Sequence, residues 1–262
     1  ELLIKILREM GQEIRGLYER NDVRIRLLEG MEEGKHWFAT DLCPEPGAVT
    51  TEIVENGIEY TVDVENGQKT GFFLDQKYNR QAIAKIAKGK HVLDCFTHTG
   101  AFALNAAKGG AASVTALDIS EEAVHMAAHN GIINGLPIQA VRADVFDFLT
   151  ELDRTKNHEY DYIILDPPAF TKSGRTVHEA FRGYKEINYR AMKILPRGGY
   201  LATCSCSHFM GEELFVKMVK EAARDAGVTL RQIEFRQQAP DHPILMTVPE
   251  TYYLKFFLFQ II

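Results

Sequence analysis

The sequence predicts an α/β protein: a mostly parallel sheet with helices on both faces and an antiparallel last strand, preceded by a small α+β region. Three observations carry this expectation. From about Lys77 onward, short apolar runs alternate with helical stretches, the signature of parallel strands joined by crossover helices. The last two apolar runs, "TLRQIEF" and "YYLKFFLFQII", have no helix between them, so the final strand should pair antiparallel. Before residue 75 the pattern differs, with one helical repeat followed by turn-rich, strand-like segments. The expected division is 1–74 and 75–262.

In chain order, Leu3, Ile6, Met10, Ile14 and Leu17 recur at helical spacing and predict an amphipathic helix over 1–20. Val23, Ile25 and Leu27 alternate with Arg24 and Arg26, as in a half-buried strand. A Gly- and Pro-rich loop follows from Gly30 to Gly47. Asn56-Gly57 and Asn66-Gly67 are two hairpin signals, each flanked by strand-like residues. A helix over Lys77–Lys88 should end at Gly89 through a left-handed cap. The strands "HVLDCF", "SVTALDI", "IQAVRAD", "YDYIILDPP" and "GGYLATCS" then alternate with helices, three of them opening near Ala101, Ser120 and Glu212.

The composition narrows the function classes. Apolar content of 45% in 262 residues is that of a folded globular chain. No apolar run approaches the roughly 18–20 residues that cross a bilayer, and no secretory signal is visible. Four cysteines, unevenly spaced, do not make a disulfide scaffold, which points to a reducing cytoplasm. A first residue of Glu1 rather than Met points to part of a longer protein. Net charge −6 argues against nucleic-acid binding by the whole surface. One local segment differs: Lys172, Arg175, Arg182, Lys185, Arg190 and Lys193 face only Glu179 and Glu186.

In open α/β sheets ligands bind beyond the carboxyl ends of the strands. Three consecutive strands there end in an acid. Asp94 precedes the loop Phe96–Gly100, and Gly100 opens a helix where a ligand can approach the backbone. The loop lacks the G-x-G-x-x-G pattern, which weakens a dinucleotide reading. Asp118 lies about 20 residues past that loop, where a carboxylate suits a ribose diol. Ile119 follows it, and Ser120 caps the next helix. Asp144, followed by Val145, could accept from the exocyclic amine of an adenine. A single acid could be only a cap; three in succession favour a nucleoside-shaped ligand.

The fourth strand ends in "LDPPAF". Pro167 and Pro168 stiffen the backbone after Asp166 and suit a platform for a flat, extruded base. The basic segment, including Arg182, Tyr184 and Lys185, follows and reads as a face for a nucleic-acid backbone. The fifth strand ends in "TCSCSHFM". Cys204 should still lie in the strand as a packing residue, with Cys206 at its mouth. Zinc needs about four ligands, and Cys204, Cys206 and His208 offer three. No metal is expected. A nucleophilic thiol beside "DPP" is the more economical reading.

Together these residues resemble the class I S-adenosylmethionine-dependent methyltransferases. More closely, "FRGYKEIN", "TCSCSHFM" and "FRQQAPDHPILMTVPETYYLK" resemble the bacterial large-subunit ribosomal RNA cytosine-5 methyltransferase (RlmI-like) family, along nearly the whole chain. The resemblance implies a Rossmann-like sheet behind a small middle domain, usually preceded by a PUA domain that this chain lacks. It implies S-adenosylmethionine as cofactor, S-adenosylhomocysteine as product and RNA, ribosomal in this family, as partner. Gln76, Asp94, Phe96, Thr97, Thr99, Gly100, Asp118, Ile119, Ser120, Asp144 and Val145 would hold the cofactor. Asp166 and Pro167 would hold the base, with Pro168, Arg182, Tyr184, Lys185 and His242 toward the substrate. Cys206 would be the nucleophile. Some other RNA cytosine methyltransferases carry a second cysteine beside the two prolines; here Ala169 stands there.

The reaction so implied is methyl transfer to carbon 5 of a cytosine. A thiolate at carbon 6 makes carbon 5 enamine-like, which gives covalent catalysis a purpose. Positive charge near the thiol would favour the thiolate, with Lys185, Arg182 and His242 as candidates. Asp166, His242 or a water could remove the proton. A uracil carbon-5 enzyme, an adenine amino-group enzyme and a non-catalytic RNA-binding scaffold remain open rivals.

Overall fold

A computed structural model describes residues 1–171 and 173–262; Lys172 lies outside the described residues. The chain divides into two compact units, Glu1–Val54 with Tyr60–Phe73, and Glu55–Glu59 with Leu74–Ile262.

The first unit contains α1 (Leu2–Glu9), β1 (Tyr18–Arg20), α2 (Ile25–Leu28) and β2 (Lys35–Trp37), with most of the hairpin β3 (Thr50–Glu55) and β4 (Ile58–Asp63). β1 and β2 pair antiparallel, Tyr18 opposite Trp37. The hairpin turn is Asn56-Gly57, both at positive φ (55° and 70°), as a two-residue turn of this hand requires. Three expectations fail here. The first helix stops at Glu9, with Gly11 in the left-handed region (φ 77°), so residues 12–17 are not helical. Val23, Ile25 and Leu27 form no strand: α2 occupies the segment, and the three side chains stay exposed. Asn66-Gly67 makes no second hairpin. The Asp63 carboxylate accepts from the Glu65 and Asn66 amides, and Arg20 donates to the Val64 and Gly67 carbonyls, folding a closed turn with no returning strand.

The second unit bears out the predicted sheet. Its strands are β5 (His91–Cys95), β6 (Ser113–Asp118), β7 (Gln139–Arg142), β8 (Tyr162–Leu165), β9 (Tyr200–Ser205), β10 (Leu230–Arg236) and β11 (Lys255–Ile261), in spatial order β10-β11-β9-β8-β5-β6-β7. β11 runs antiparallel to both β9 and β10, while β5–β6, β5–β8, β6–β7 and β8–β9 are parallel. Strand order reverses between β5 and β8, which opens a crevice at their carboxyl ends.

The pleat sorts the core into two layers. Leu93, Leu117, Ile163 and Leu201 face the helices α6 (Val145–Thr155), α7 (Val177–Ile194) and α8 (Glu212–Ala226). Val92, Ala116, Ile164, Ala202 and Cys204 face α3 (Lys77–Ile86) and α4 (Ala101–Lys108). α5 (Glu121–Ile133) joins β6 to β7. Among the described residues no helix is long and apolar enough to cross a membrane.

Candidate active site

The first loop is held from below by acids. Asp94 is fully buried; one carboxylate oxygen accepts from Thr97 Oγ1 at 2.6 Å and from the Ala103 amide at 2.9 Å. Its other oxygen is buried without a hydrogen-bond partner. Burial pushes the carboxyl up to about 7 against those two hydrogen bonds, with the Asp166 and Asp118 charges adding to the rise. Asp94 is therefore a buried support of the loop, where the sequence placed it at an open strand end.

Asp118 spans loop and helix. One oxygen accepts from the His98 amide at 2.9 Å and the other from the Ser120 amide at 3.0 Å. Asn130 on α5 donates to the Thr99 carbonyl. Two non-glycine residues of the loop, Phe96 (φ 65°) and His98 (φ 51°), take left-handed conformations. Such strain persists only where the surroundings over-determine it and clusters at ligand sites. Gly100 is also left-handed (φ 82°), and a Cβ there would meet Ala127 Cβ at 3.0 Å. Thr97 and Thr99 are buried, whereas Ile119 beside Asp118 is 64% exposed. Ser120 caps α5 through the Ala123 amide, and Asp144 caps α6 through the Phe146 and Asp147 amides. Val145 lies in the core, so its side chain is closed to a ligand.

The second part lies beyond β8 and β9. Cys206 Sγ stands 3.9 Å from the Pro167 carbonyl oxygen, and Ser207 Oγ donates to the Thr171 carbonyl at 2.8 Å. These contacts tie the "CSH" loop to the "DPP" loop across 36–39 residues of chain. Cys206 is half-buried and Cys204 fully buried. Burial, then the Asp166 charge, push the Cys204 thiol well above its ordinary range. Gln76 Nε2 donates to Asp166 Oδ1 at 3.0 Å, and Asn79 Nδ2 donates to Gln76 Oε1 at 2.6 Å. Asp166 is pushed up to about 7 by burial and then by the Asp75 charge, which outweigh Arg80 and the Cys204 and Gln76 hydrogen bonds. Pro167 is buried and Pro168 exposed.

Several expected substrate residues are not where the sequence placed them. Tyr184 is fully buried, its ring tilted against Phe170 with centroids 4.6 Å apart and its hydroxyl accepting from Ser205 Oγ. Its side chain belongs to the core. Lys185 faces α8, bonded to Asp225 at 2.7 Å and near Glu221 at 3.6 Å, so acids of that helix meet its charge. Arg190 and Lys193 pair with Asp153 on α6. The basic segment is thus largely neutralised between helices; Arg175, Arg182 and Lys193 are its exposed members among the described residues, and Lys193 is held by Asp153. His242 is half-exposed with Nδ1 against Asp241. Among the described residues no three His, Cys, Asp or Glu side chains converge as metal ligands.

Sequence reasoning missed four neighbours of the site: Asp75, Asn79, Tyr253 and Lys255. Tyr253 donates to Asp75 Oδ2 at 2.8 Å, joining the segment before β11 to the segment before α3. A lysine inside the apolar run "YYLKFFLFQII" was the one visible signal.

A strained loop over the buried Asp94, at the reversal of a 3-2-1-type parallel sheet, lies where open α/β sheets bind their ligands. Residues 36–260 match the S-adenosylmethionine-dependent methyltransferase family, and the chain belongs to that family. It is 45% identical over 258 residues to "Ribosomal RNA large subunit methyltransferase I" of Aeromonas salmonicida, covering 97% of this chain and 64% of that one. The protein of the same name in Shewanella amazonensis is also 45% identical, over 259 residues, with the same coverage. The chain therefore spans a little under two thirds of these curated relatives. A solved methyltransferase-type structure from Streptococcus mutans superposes with a TM-score of 0.81 at 25% identity, covering 98% of this chain and 64% of that one. A second solved structure, in complex with SAH, gives the same values.

The stability of the fold reports on Asp94 directly. Its folded carboxyl titrates near 7 instead of the ordinary 3.8, so it stabilises the fold fully below about pH 4 and loses that contribution as pH rises through about 7. Asp94→Asn is neutral throughout and keeps an acceptor oxygen. Without cofactor, its melting temperature should fall less than that of the wild type between pH 5 and 8. Parallel curves for the two proteins would contradict the buried, protonated state.

Proposed function

We propose that the chain methylates carbon 5 of a cytosine in RNA, ribosomal RNA by analogy with its named relatives, with Cys206 as nucleophile. The observation that carries the reading is the approach of Cys206 Sγ to the Pro167 carbonyl beside Asp166. A thiol and a base-binding carboxyl meet where two parallel strands end.

The residues present fit S-adenosylmethionine. Gly100 makes the left-handed turn that opens α4, Asp94 keeps an unpartnered oxygen under the loop, and Ile119 offers an exposed apolar face. Phe96, Thr97, Thr99 and Gly100 would line the backbone cradle, Asp118 would take the ribose diol, and Asp144 and Ser120 would border the adenine. Bound there, the cofactor supplies an electrophilic methyl group. The product of the transfer would be S-adenosylhomocysteine.

The protein's own part is base activation. The Cys206 thiolate bonds to carbon 6, and the carbon 5–carbon 6 π pair becomes available at carbon 5. After methylation a base takes the carbon 5 proton, the double bond re-forms, and the sulfur leaves with its electron pair. Asp166, titrating near 7, can donate to cytosine N3, an acceptor. Gln76 fixes the Asp166 carboxyl.

The test is transfer of labelled methyl groups to unmodified large-subunit RNA, with nucleoside mass spectrometry of the product. 5-Methylcytidine supports the reading; 5-methyluridine or a methylated adenosine replaces it. RNA affinity should also fall with salt, and less steeply once Arg175 and Arg182 are both alanine, by a slope of about 1.4 for two single-strand contacts. Lys185→Ala should leave the slope unchanged. The reverse pattern would return the RNA to the α7–α8 face.

A further inference from the structure

The removal of Lys185 from the thiol leaves open which charge supports it, and the fold places one there. Lys255 is only 1% exposed, although it carries a flexible ammonium side chain. It opens β11, in register with Ser205 of β9. Its Nζ donates to the Ser207 carbonyl at 2.6 Å and to the Tyr253 carbonyl at 2.8 Å. Ser207 is the residue directly after Cys206. Its hydrogen-bond acceptors among the described residues are both backbone carbonyls, with the Tyr252 ring 6.0 Å away, so dipoles solvate the charge without cancelling it.

We infer that Lys255 is a positioning residue for Cys206: its ammonium pins the turn that presents the thiol and supplies the positive charge that favours the thiolate. The inference rests on Cys206 being the reacting thiol, as proposed above. A lysine is seldom buried in this way without a task, because removing an ammonium from water is costly. Burial pushes Lys255 down to about 8, while negative charge at Cys206 and then at Glu212 holds its proton on. Electrostatic coupling is mutual, so the ammonium favours the thiolate by the same amount. At neutral pH the lysine stays mainly charged.

Other groups bear on the pair. Tyr184 on α7, Cys204 on β9 and Tyr253 interact electrostatically with the thiol; Asp166 precedes Pro167, whose carbonyl faces it, and Asp75 is bonded to Tyr253. Glu212 at the start of α8, bonded to the Tyr252 hydroxyl, faces the lysine. The nearby acids oppose a thiolate, so the lysine is the group that offsets them.

The test needs neither RNA nor cofactor. Iodoacetamide alkylation of Cys206, mapped by mass spectrometry, is followed from pH 5 to 10 in the wild type, Lys255→Met and Lys255→Arg. The wild-type thiol should react as one titrating at least a unit below the ordinary value of about 8.5. Lys255→Met should lose about tenfold in rate at pH 7, one unit of titration, and Lys255→Arg should keep most of it. An ordinary wild-type profile, or a folded Lys255→Met with an unchanged profile, overturns the inference. Should Lys255→Met not fold, ¹³C NMR of the Lys255 ε-carbon decides. Its ammonium should titrate at lower pH in Cys206→Ala than in the wild type, and no difference overturns the coupling. A Cys206 profile that moves with Lys255 while RNA adducts form elsewhere would sink the nucleophile assignment alone.

Discussion

Cys206→Ala should abolish methyl transfer, by at least about a thousandfold in rate, while leaving cofactor affinity within about twofold. A reaction that depends on a covalent nucleophile keeps little rate without it. The thiol stands against Pro167, on the side expected to take the substrate, and the loop expected to hold the cofactor is built from Phe96–Gly100, Asp118 and Asn130. The two sites should therefore separate in mutants. Cys204→Ala gives the contrast: it trims a fully buried side chain of the α3–α4 layer, so it should lower stability by about 1 kcal/mol and keep most turnover. Calorimetry with S-adenosylmethionine and methyl-transfer assays on the same preparations check both statements. Residual turnover near wild type in Cys206→Ala would rule out the covalent route.

Asp118→Ala should weaken cofactor binding by about 1–3 kcal/mol, or roughly 5- to 150-fold in Kd. Two losses combine. The ribose loses a charged acceptor, and the His98 and Ser120 amides lose the carboxylate that fixes the loop to the start of α5. Asp118→Asn keeps one acceptor and should fall between. A calorimetric Kd equal to wild type in Asp118→Ala would remove this residue from the site.

The sheet was legible because its evidence was redundant. Strand–helix alternation and the missing helix before β11 implied one topology, and each strand came within three residues of its expected bounds. The first unit was harder. Over five residues, Val23–Leu27 satisfies period 2 and still folds as a helical turn, because the alternation is too short to exclude it. Asn66-Gly67 resembles Asn56-Gly57 in sequence, but Asp63 and Arg20 close the former on itself. Charge was legible as a count and illegible as a face. Lys185, Arg190 and Lys193 look basic in the chain, yet acids from α6 and α8 meet them in space. Lys255 was lost for the opposite reason: one charge in an apolar strand reads as a snorkelling side chain, and only the fold shows its ammonium closed in beside the Cys206 turn.

The most direct measurement is a trap. An RNA carrying 5-fluorocytosine at the target position, incubated with the chain and S-adenosylmethionine, should form a stable protein–RNA adduct, because fluorine at carbon 5 blocks the last proton removal. Peptide mapping should place the linkage at Cys206. An adduct at Cys204, or an enzyme that methylates unmodified RNA yet never forms an adduct, would contradict the account.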